Sequence, residues 1–371
     1  MLLDLPPQHR IPLAWLLEHG NESIRARTLL DLAPEGYASP EAIEAAREAV
    51  VTSKAAEAVT RKQKDTGIWG GNLLGVTPNA RAGIKEIGTI AQYRRLVQLG
   101  YPHNTRPFKL ADRVLFRLLS RDEDPWLLFE HEKWAVKDSP EAVEWVREHE
   151  REAAAAALAE AGFAEDPRLR GAAHKVATAV SNYLRSPLAE NPFIRSGKTT
   201  VLSPEAHPPT WYTVAMIAAM PNLRRERAGF TERLAQYLAG TATKRAFTVK
   251  VGKKSLKPDF LLLGNPIEAD AKGHPKDLTF AVYFLEQLAR IGALTMSPVG
   301  MRVAARLFSE CDEFGVWRPK KVPTIKKTFH PMAYHHQHRE EDAKTGESRF
   351  VDVTFRLAMV AKHAGLELDY A

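Results

Sequence analysis

The segment Gln63-Lys64-Asp65-Thr66-Gly67-Ile68-Trp69 has the spacing Q-x3-G-x-W. In that spacing a glutamine ending one helix can bond the orphan backbone groups of a neighbour. The glycine permits a tight turn, and the tryptophan can stack across the seam between repeated units. A degenerate copy, Cys311-Asp312-Glu313-Phe314-Gly315-Val316-Trp317, carries cysteine in the glutamine position. A weaker trace, Ser120-Arg121-Asp122-Glu123-Asp124-Pro125-Trp126, keeps only the tryptophan. Each of the three follows a stretch with amphipathic helical periodicity.

Outward from these turns the same plan recurs. A strongly apolar helix closes at a small turn, and an amphipathic helix starts a few residues later, often at a proline. The expected pairs are 88–99 with 108–119, 153–161 with 167–184, 211–220 with 226–238, and 278–291 with 298–308. A last apolar helix is expected over 351–363, and an N-terminal copy over 12–21 followed by one long helix over 40–62. Gly100, Gly162, Gly292 and Gly365 stand where a left-handed C-cap is expected. The stretches 211–220 and 280–285 are apolar nearly all round, whereas 108–119 has a stripe of Leu110, Val114, Leu115 and Leu118 opposite Arg113 and Arg117. Helices of the first kind must be buried and those of the second cover them. Repeated pairs of this kind predict an all-α fold in two layers of helices, closed as a toroid or open as a solenoid of helix pairs. Residues 246–260 alternate as Phe247, Val249 and Val251 against Thr248 and Lys250, which predicts a small β-hairpin insertion. Residues 318–349, rich in Lys and His, read as a long irregular excursion from a single domain spanning 1–371.

Composition narrows the classes. The 371 residues are 44% hydrophobic and 26% charged, which excludes a mostly disordered chain. The uncharged stretch 206–223 is broken by Pro208, Pro209 and Pro221, so no transmembrane helix is expected. The start lacks a basic segment followed by an apolar run, so no export signal is expected either. Cys311 is the only cysteine, which excludes a disulfide within the chain and an all-cysteine zinc site, and suggests a cytoplasmic setting. The net charge of +7 is compatible with an anionic partner without demanding one.

With its turn motifs and paired helices the chain resembles the squalene–hopene cyclase and protein prenyltransferase superfamily, whose domains are α/α toroids. It is closer to the uncharacterised single-domain bacterial branch, whose start is similar to Trp15-Leu16-Leu17-Glu18 followed by Ser23-Ile24-Arg25-Ala26-Arg27 and Leu30. The resemblance covers most of the chain and lies in the repeat plan. It implies an inner barrel of helices around a central apolar cavity, an isoprenoid-like ligand, and a reaction of the terpene cyclase or prenyltransferase kind. The departures are large. The acid motif DxDD is absent; Asp122-Glu123-Asp124-Pro125 is nearest but follows an outer helix. DDxxD is absent too, and Cys311 sits inside the degenerate turn, where a structural role fits better than zinc ligation. The resemblance therefore carries the fold and the cavity, not the chemistry, and no cofactor or metal site is identified.

The residues that such a cavity would use can be named. Inner-helix N-termini favour anions, which singles out Thr89, Thr210, Asp277 and Asp352. Plain N-capping accounts for the two aspartates as well. Asp352, followed by Val353 and Phe355, is the choice for a catalytic acid, since apolar surroundings raise a carboxyl pKa. Trp211, Tyr212, Phe280, Tyr283, Phe284 and Phe355 are candidates for shaping an isoprenoid and facing developing cations, with core packing the alternative for each. His330, His335, His336 and His338 suit metal ligation or pairing with Glu340 and Glu341. Lys253, Lys254 and Lys257, and Lys320, Lys321, Lys326 and Lys327, suit solvated loops or contacts to phosphates. Aromatic interleaving near them is poor, which disfavours nucleic acid. The leading expectation is a cytoplasmic protein holding an apolar, isoprenoid-like ligand. The alternatives are a non-catalytic helical-repeat protein with a protein partner and, behind it, a basic nucleic-acid-associated protein.

Overall fold

The computed structural model describes residues 4–76, 86–120, 135–257, 260–323 and 346–371. The chain is mostly helical, with three two-stranded sheets among the described residues. It divides into two compact units. The first holds Met1–Arg61, Arg95–His103 and Ile267–Ala371; the second holds Lys62–Arg94 and Asn104–Pro266.

In the first unit, strand β1 (Gln8–Ile11) leads into helices α1 (Leu13–His19) and α2 (Glu22–Arg27), then a π-helical turn, Thr28–Leu32. Asn21 caps α2 by accepting from the Ile24 N–H. The long helix expected over 40–62 is two, α3 (Pro40–Val51) and α4 (Lys54–Thr60). The break lies at Thr52-Ser53. Both hydroxyls turn back onto backbone carbonyls, Thr52 to Ala49 and Ser53 to Val50, while the Ser53 oxygen caps α4 at the Ala56 N–H. Hydroxyl residues that bond their own backbone favour caps over helix interiors. Helix α5 (Thr89–Leu99) contributes its last residues to this unit and its first to the other.

Helix α12 (Leu278–Arg290), started by Asp277 accepting from the Phe280 N–H, packs on α14 (Ser348–Ala364); α13 (Pro298–Phe308) lies between them in sequence. Both α12 and α14 are buried on nearly every side, the burial expected of helices apolar all round. One core cluster joins Ile11, Leu13, Leu16, Ile24 and Leu32 to Val351, Phe355, Ala358 and Met359. Strand β6 (Glu367–Tyr370) then pairs in parallel with β1, Gln8 opposite Glu367.

The second unit is built on α6 (Arg106–Ser120), α7 (Pro140–Glu160), α8 (Pro167–Arg185) and α9 (Trp211–Ala219). Helix α7 starts at a Ser139 cap with Pro140 in its first turn, well before the apolar stretch expected at 153–161. Its run Ala153–Ala159 is fully buried against α9, and small side chains there let the two helices approach closely. Helix α9 is apolar all round and is started by a Thr210–Thr213 capping box. The helix expected over 226–238 is α11 (Ala228–Ala239), and a short helix that the sequence reading did not anticipate, α10 (Pro221–Glu226), precedes it. Two hairpins complete the unit: β2 (Phe193–Ser196) with β3 (Thr199–Leu202), which the sequence reading did not anticipate, and β4 (Val249–Val251) with β5 (Lys254–Leu256) within 246–260.

The two turn motifs have the same local geometry. In the first, Lys64 N–H donates to the Ile68 carbonyl and Gly67 N–H to the Lys64 carbonyl, both at 2.9 Å. In the second, Asp312 N–H donates to Val316 at 2.9 Å and Gly315 N–H to Asp312 at 3.0 Å. Gly67 and Gly315 have φ of 90° and 87°. Trp69 and Trp317 are each 1% exposed. The N–H of each tryptophan donates to a buried threonine hydroxyl, Thr89 at 3.1 Å and Thr354 at 3.0 Å. The copies differ at their first position. Gln63 donates to the Pro107 carbonyl at the start of α6, at 2.8 Å, whereas the Cys311 sulfur reaches only the Leu307 carbonyl of the helix just before it, at 3.7 Å. The third trace lies outside the described residues beyond Ser120.

Candidate functional site

A cavity of about 480 Å3 lies within the second unit. Its first wall is one face of α7, where helical spacing aligns Trp145, Glu148, His149 and Glu152. Its second wall is α8, capped by Asp166 through the Arg168 N–H. That wall presents Gly171, Ala172 and Ala179, and a Cβ added at Gly171 would meet nothing within 4 Å. The small residues on α8 thus leave the space that larger ones would fill. The third wall comes from Leu202 at the end of β3 and Ala206 and Pro208 after it, and from Val249, Phe260 and Leu261. Trp211 N–H donates to the Phe260 carbonyl and Leu262 N–H to the Pro209 carbonyl, which ties this segment beside the start of α9.

His149 sits in an aromatic cluster. Its ring centroid is 4.2 Å from Phe260, 5.8 Å from Trp145 and 5.7 Å from Tyr212. One turn on, Glu152 meets the N-terminus of α9, accepting from the Thr210 hydroxyl at 2.8 Å and from the Thr213 hydroxyl. Burial pushes the Glu152 carboxyl above its ordinary value, against the pull of these hydroxyls, and the nearby Glu148 adds to the rise. The anion that the start of α9 favours is thus the protein's own carboxyl, and that carboxyl holds a proton more readily than a free glutamate. Lys175 pairs with Glu148 at 2.7 Å, with both side chains about half exposed. The Arg168 guanidinium is bound to Asp166 at 2.9 Å and lies 3.9 Å over the Phe116 ring. The lining is therefore largely apolar and aromatic, with one buried carboxyl whose pKa is raised and charged groups beside it, an arrangement suited to an apolar molecule with a polar end.

The residues singled out from sequence fall elsewhere. Thr89, 0% exposed, is the first residue of α5, and its hydroxyl serves Trp69 and Asn72. Trp211 and Tyr212 are buried on α9; of the two, Tyr212 reaches the cluster around His149. Phe280, Tyr283 and Phe284 on α12 and Phe355 on α14 belong to the first unit, all buried, with Phe280 and Phe284 stacked at 5.7 Å. Helix α14 begins at Ser348, so Asp352 stands in its second turn, 5% exposed, and not before the helix as the sequence suggested. None of these residues lines the cavity; Thr210 does. The cluster His330–His338 and Lys326 and Lys327 lie outside the described residues. Burial pushes the Cys311 thiol up to about 12, with Asp312 and Glu310 acting in the same direction, which keeps it protonated.

The sequence reading passed over Trp145, His149, Glu152 and Phe260. The first three were open to it, because W-x2-EH-x2-E puts an aromatic, two acids and a histidine on one helical face. Nothing local to Phe260 connects it with that face. No family model, no curated protein and no solved structure matches the chain.

Proposed function

We propose that the protein binds a mostly apolar, isoprenoid-like molecule in the cavity of its second unit. The observation that carries this reading is the lining itself: Trp145, Phe260, Leu202 and Val249 around an open space, with the Glu152 carboxyl facing it. The volume falls in the range of about 300–1,000 Å3 usual for small-molecule sites. In this reading the apolar body of the ligand lies along α8 and Phe260, and the Glu152 carboxyl, raised above its ordinary value by burial, meets its polar end. The shared geometry of the two turn motifs supports an internally repeated helical plan, and with it the α/α-toroid arrangement and the cyclase- or prenyltransferase-like class. The reaction class attached to that reading is cyclisation or prenyl transfer. Glu152 replaces Asp352 as the acid, because Glu152 faces the cavity.

The test is farnesol binding, followed through tryptophan fluorescence, together with mass spectrometry of lipids extracted from the purified protein. Saturable binding is expected, weakened by at least about ten-fold in Gly171→Leu, which fills the cavity from a helix position that tolerates leucine. Binding indifferent to Gly171→Leu, or no saturable binding together with no isoprenoid in the extract, would remove the proposal.

A further inference from the structure

We propose that the two hairpins of the second unit form a docking surface for the phosphate backbone of a nucleic-acid duplex. The hairpins are far apart in sequence but joined in space. Leu202 N–H donates to the Thr248 carbonyl at 2.9 Å, Thr248 N–H donates to Thr200 at 3.2 Å, and the Lys250 ammonium reaches the Ser196 hydroxyl at 2.6 Å. Their joining collects charge that the sequence keeps separate. Residues 191–204 contain Arg195 and Lys198, residues 241–257 contain six more Lys or Arg, and neither segment contains an Asp or Glu. All of these cations are exposed. The two segments together thus present eight cations. Glu190 and Glu205 flank the first segment and Asp259 follows the second. Asp138 touches the second hairpin, where its carboxylate accepts from the Lys253 backbone N–H at 2.8 Å.

Three features select a nucleic-acid backbone among polyanions. Strand alternation sends Val249 and Val251 into the core and Lys250 outward, and Arg195, Lys250 and Lys254 stand on the strands themselves. Exposed hydroxyls of Thr241, Thr243 and Ser255 lie among them, and such hydroxyls donate to phosphate oxygens. Apolar groups for entering a membrane are scarce, since Ile194 is the one large exposed hydrophobic residue on the hairpins. Phe193 and Phe247 pack on each other at 5.0 Å, with Arg245 over Phe193, which leaves the surface without open aromatic faces for stacking bases. A duplex gripped through its phosphates, without base readout, fits this set.

The chain holds two Lys-Lys pairs, which make a matched test: Lys253-Lys254 on the second hairpin, and Lys320-Lys321 in the first unit. Binding of a fluorescein-labelled duplex of about 20 base pairs is measured by anisotropy between about 50 and 200 mM salt. The 371-residue protein is expected to bind in the micromolar range, with affinity falling steeply as salt rises. The double variant Lys253→Gln, Lys254→Gln is expected to reduce the log–log salt slope by about 2 and weaken binding about ten-fold. The variant Lys320→Gln, Lys321→Gln removes the same charge and is expected to stay within about two-fold of the parent. Unchanged melting curves for both variants confirm that folding is intact. Equal losses in the two variants, no duplex binding, or preferential binding to phosphatidylglycerol vesicles that the duplex does not displace would each overturn the proposal.

Discussion

Asp112, on α6, accepts from the Tyr93 hydroxyl at 2.7 Å, and burial pushes its carboxyl up to about 6 although that bond pulls it down. Its unfolded value is near 3.8, so the folded chain holds this proton more tightly than the unfolded chain does. The contribution of Asp112 to stability is therefore complete below about 4 and is lost as pH rises through about 6. Glu286, on α12, behaves in the opposite sense. Burial pushes it up, but Arg290, Arg356 and Arg27 together hold it at about 2, from an ordinary 4.5. Its contribution is complete above 4.5 and is lost as pH falls toward 2. The 4–6 window thus belongs to Asp112 more than to Glu286. Asp112→Asn keeps an acceptor for Tyr93 and is expected to raise stability at pH 7 relative to pH 4 by about 1–2 kcal/mol, after discounting for solvent screening. His9 and His363, both lowered to about 4 by burial, act in the opposite sense in parent and variant alike. Urea melts at pH 4 and pH 7 measure it; an unchanged difference between the two pH values would show that Asp112 is not the group responsible.

At the scale of elements, much of the plan was legible. Starts and stops of α5, α6, α8, α9, α12 and α13 follow from prolines, caps and left-handed glycines, each acting over a few residues. The break at Thr52-Ser53 was missed because apolar spacing continues across it, and only the local backbone bonding differs. The turn motifs show why their glycines are required. At Gly315 a Cβ would lie 1.9 Å from the Arg10 carbonyl oxygen, and at Gly67 2.4 Å from that of Leu110. Gly292, with φ of 72°, has nothing within 4 Å of such an atom. The three share a left-handed backbone, so comparison separates conformational cost from close approach. Gly292→Ala is expected to cost about 1 kcal/mol, the penalty of the backbone alone, and Gly315→Ala about 2–4 kcal/mol. Equal costs in chemical denaturation would mean that the approach to Arg10 relaxes freely and that the turn does not depend on it.

At the scale of the molecule, what stayed hidden was which distant segments meet. The Trp145–Glu152 face could be read from helical spacing, but its partners Gly171, Leu202 and Phe260 come from three other segments. The union of the two hairpins was equally silent, since neither carries a mark of the other. The same holds for the first unit, whose core unites the two ends of the chain. Val351, Phe355 and Met359 pack with Ile11, Leu13, Leu16, Ile24 and Leu32, and β6 supplies the pairing partner of β1. Burial of three such side chains is worth roughly 5–9 kcal/mol, comparable with the whole stability of a typical domain. Removing residues 346–371 is therefore expected to unfold α1 and α2 locally even though every residue of those helices remains. Hydrogen exchange reads this directly. The Leu16 and Arg25 amides, bonded to Pro12 and Asn21 in the intact protein, are expected to lose their protection in the truncated chain. Native-like protection there would mean that local helix bonds suffice and that the contacts with α14 contribute little to holding the N-terminal helices.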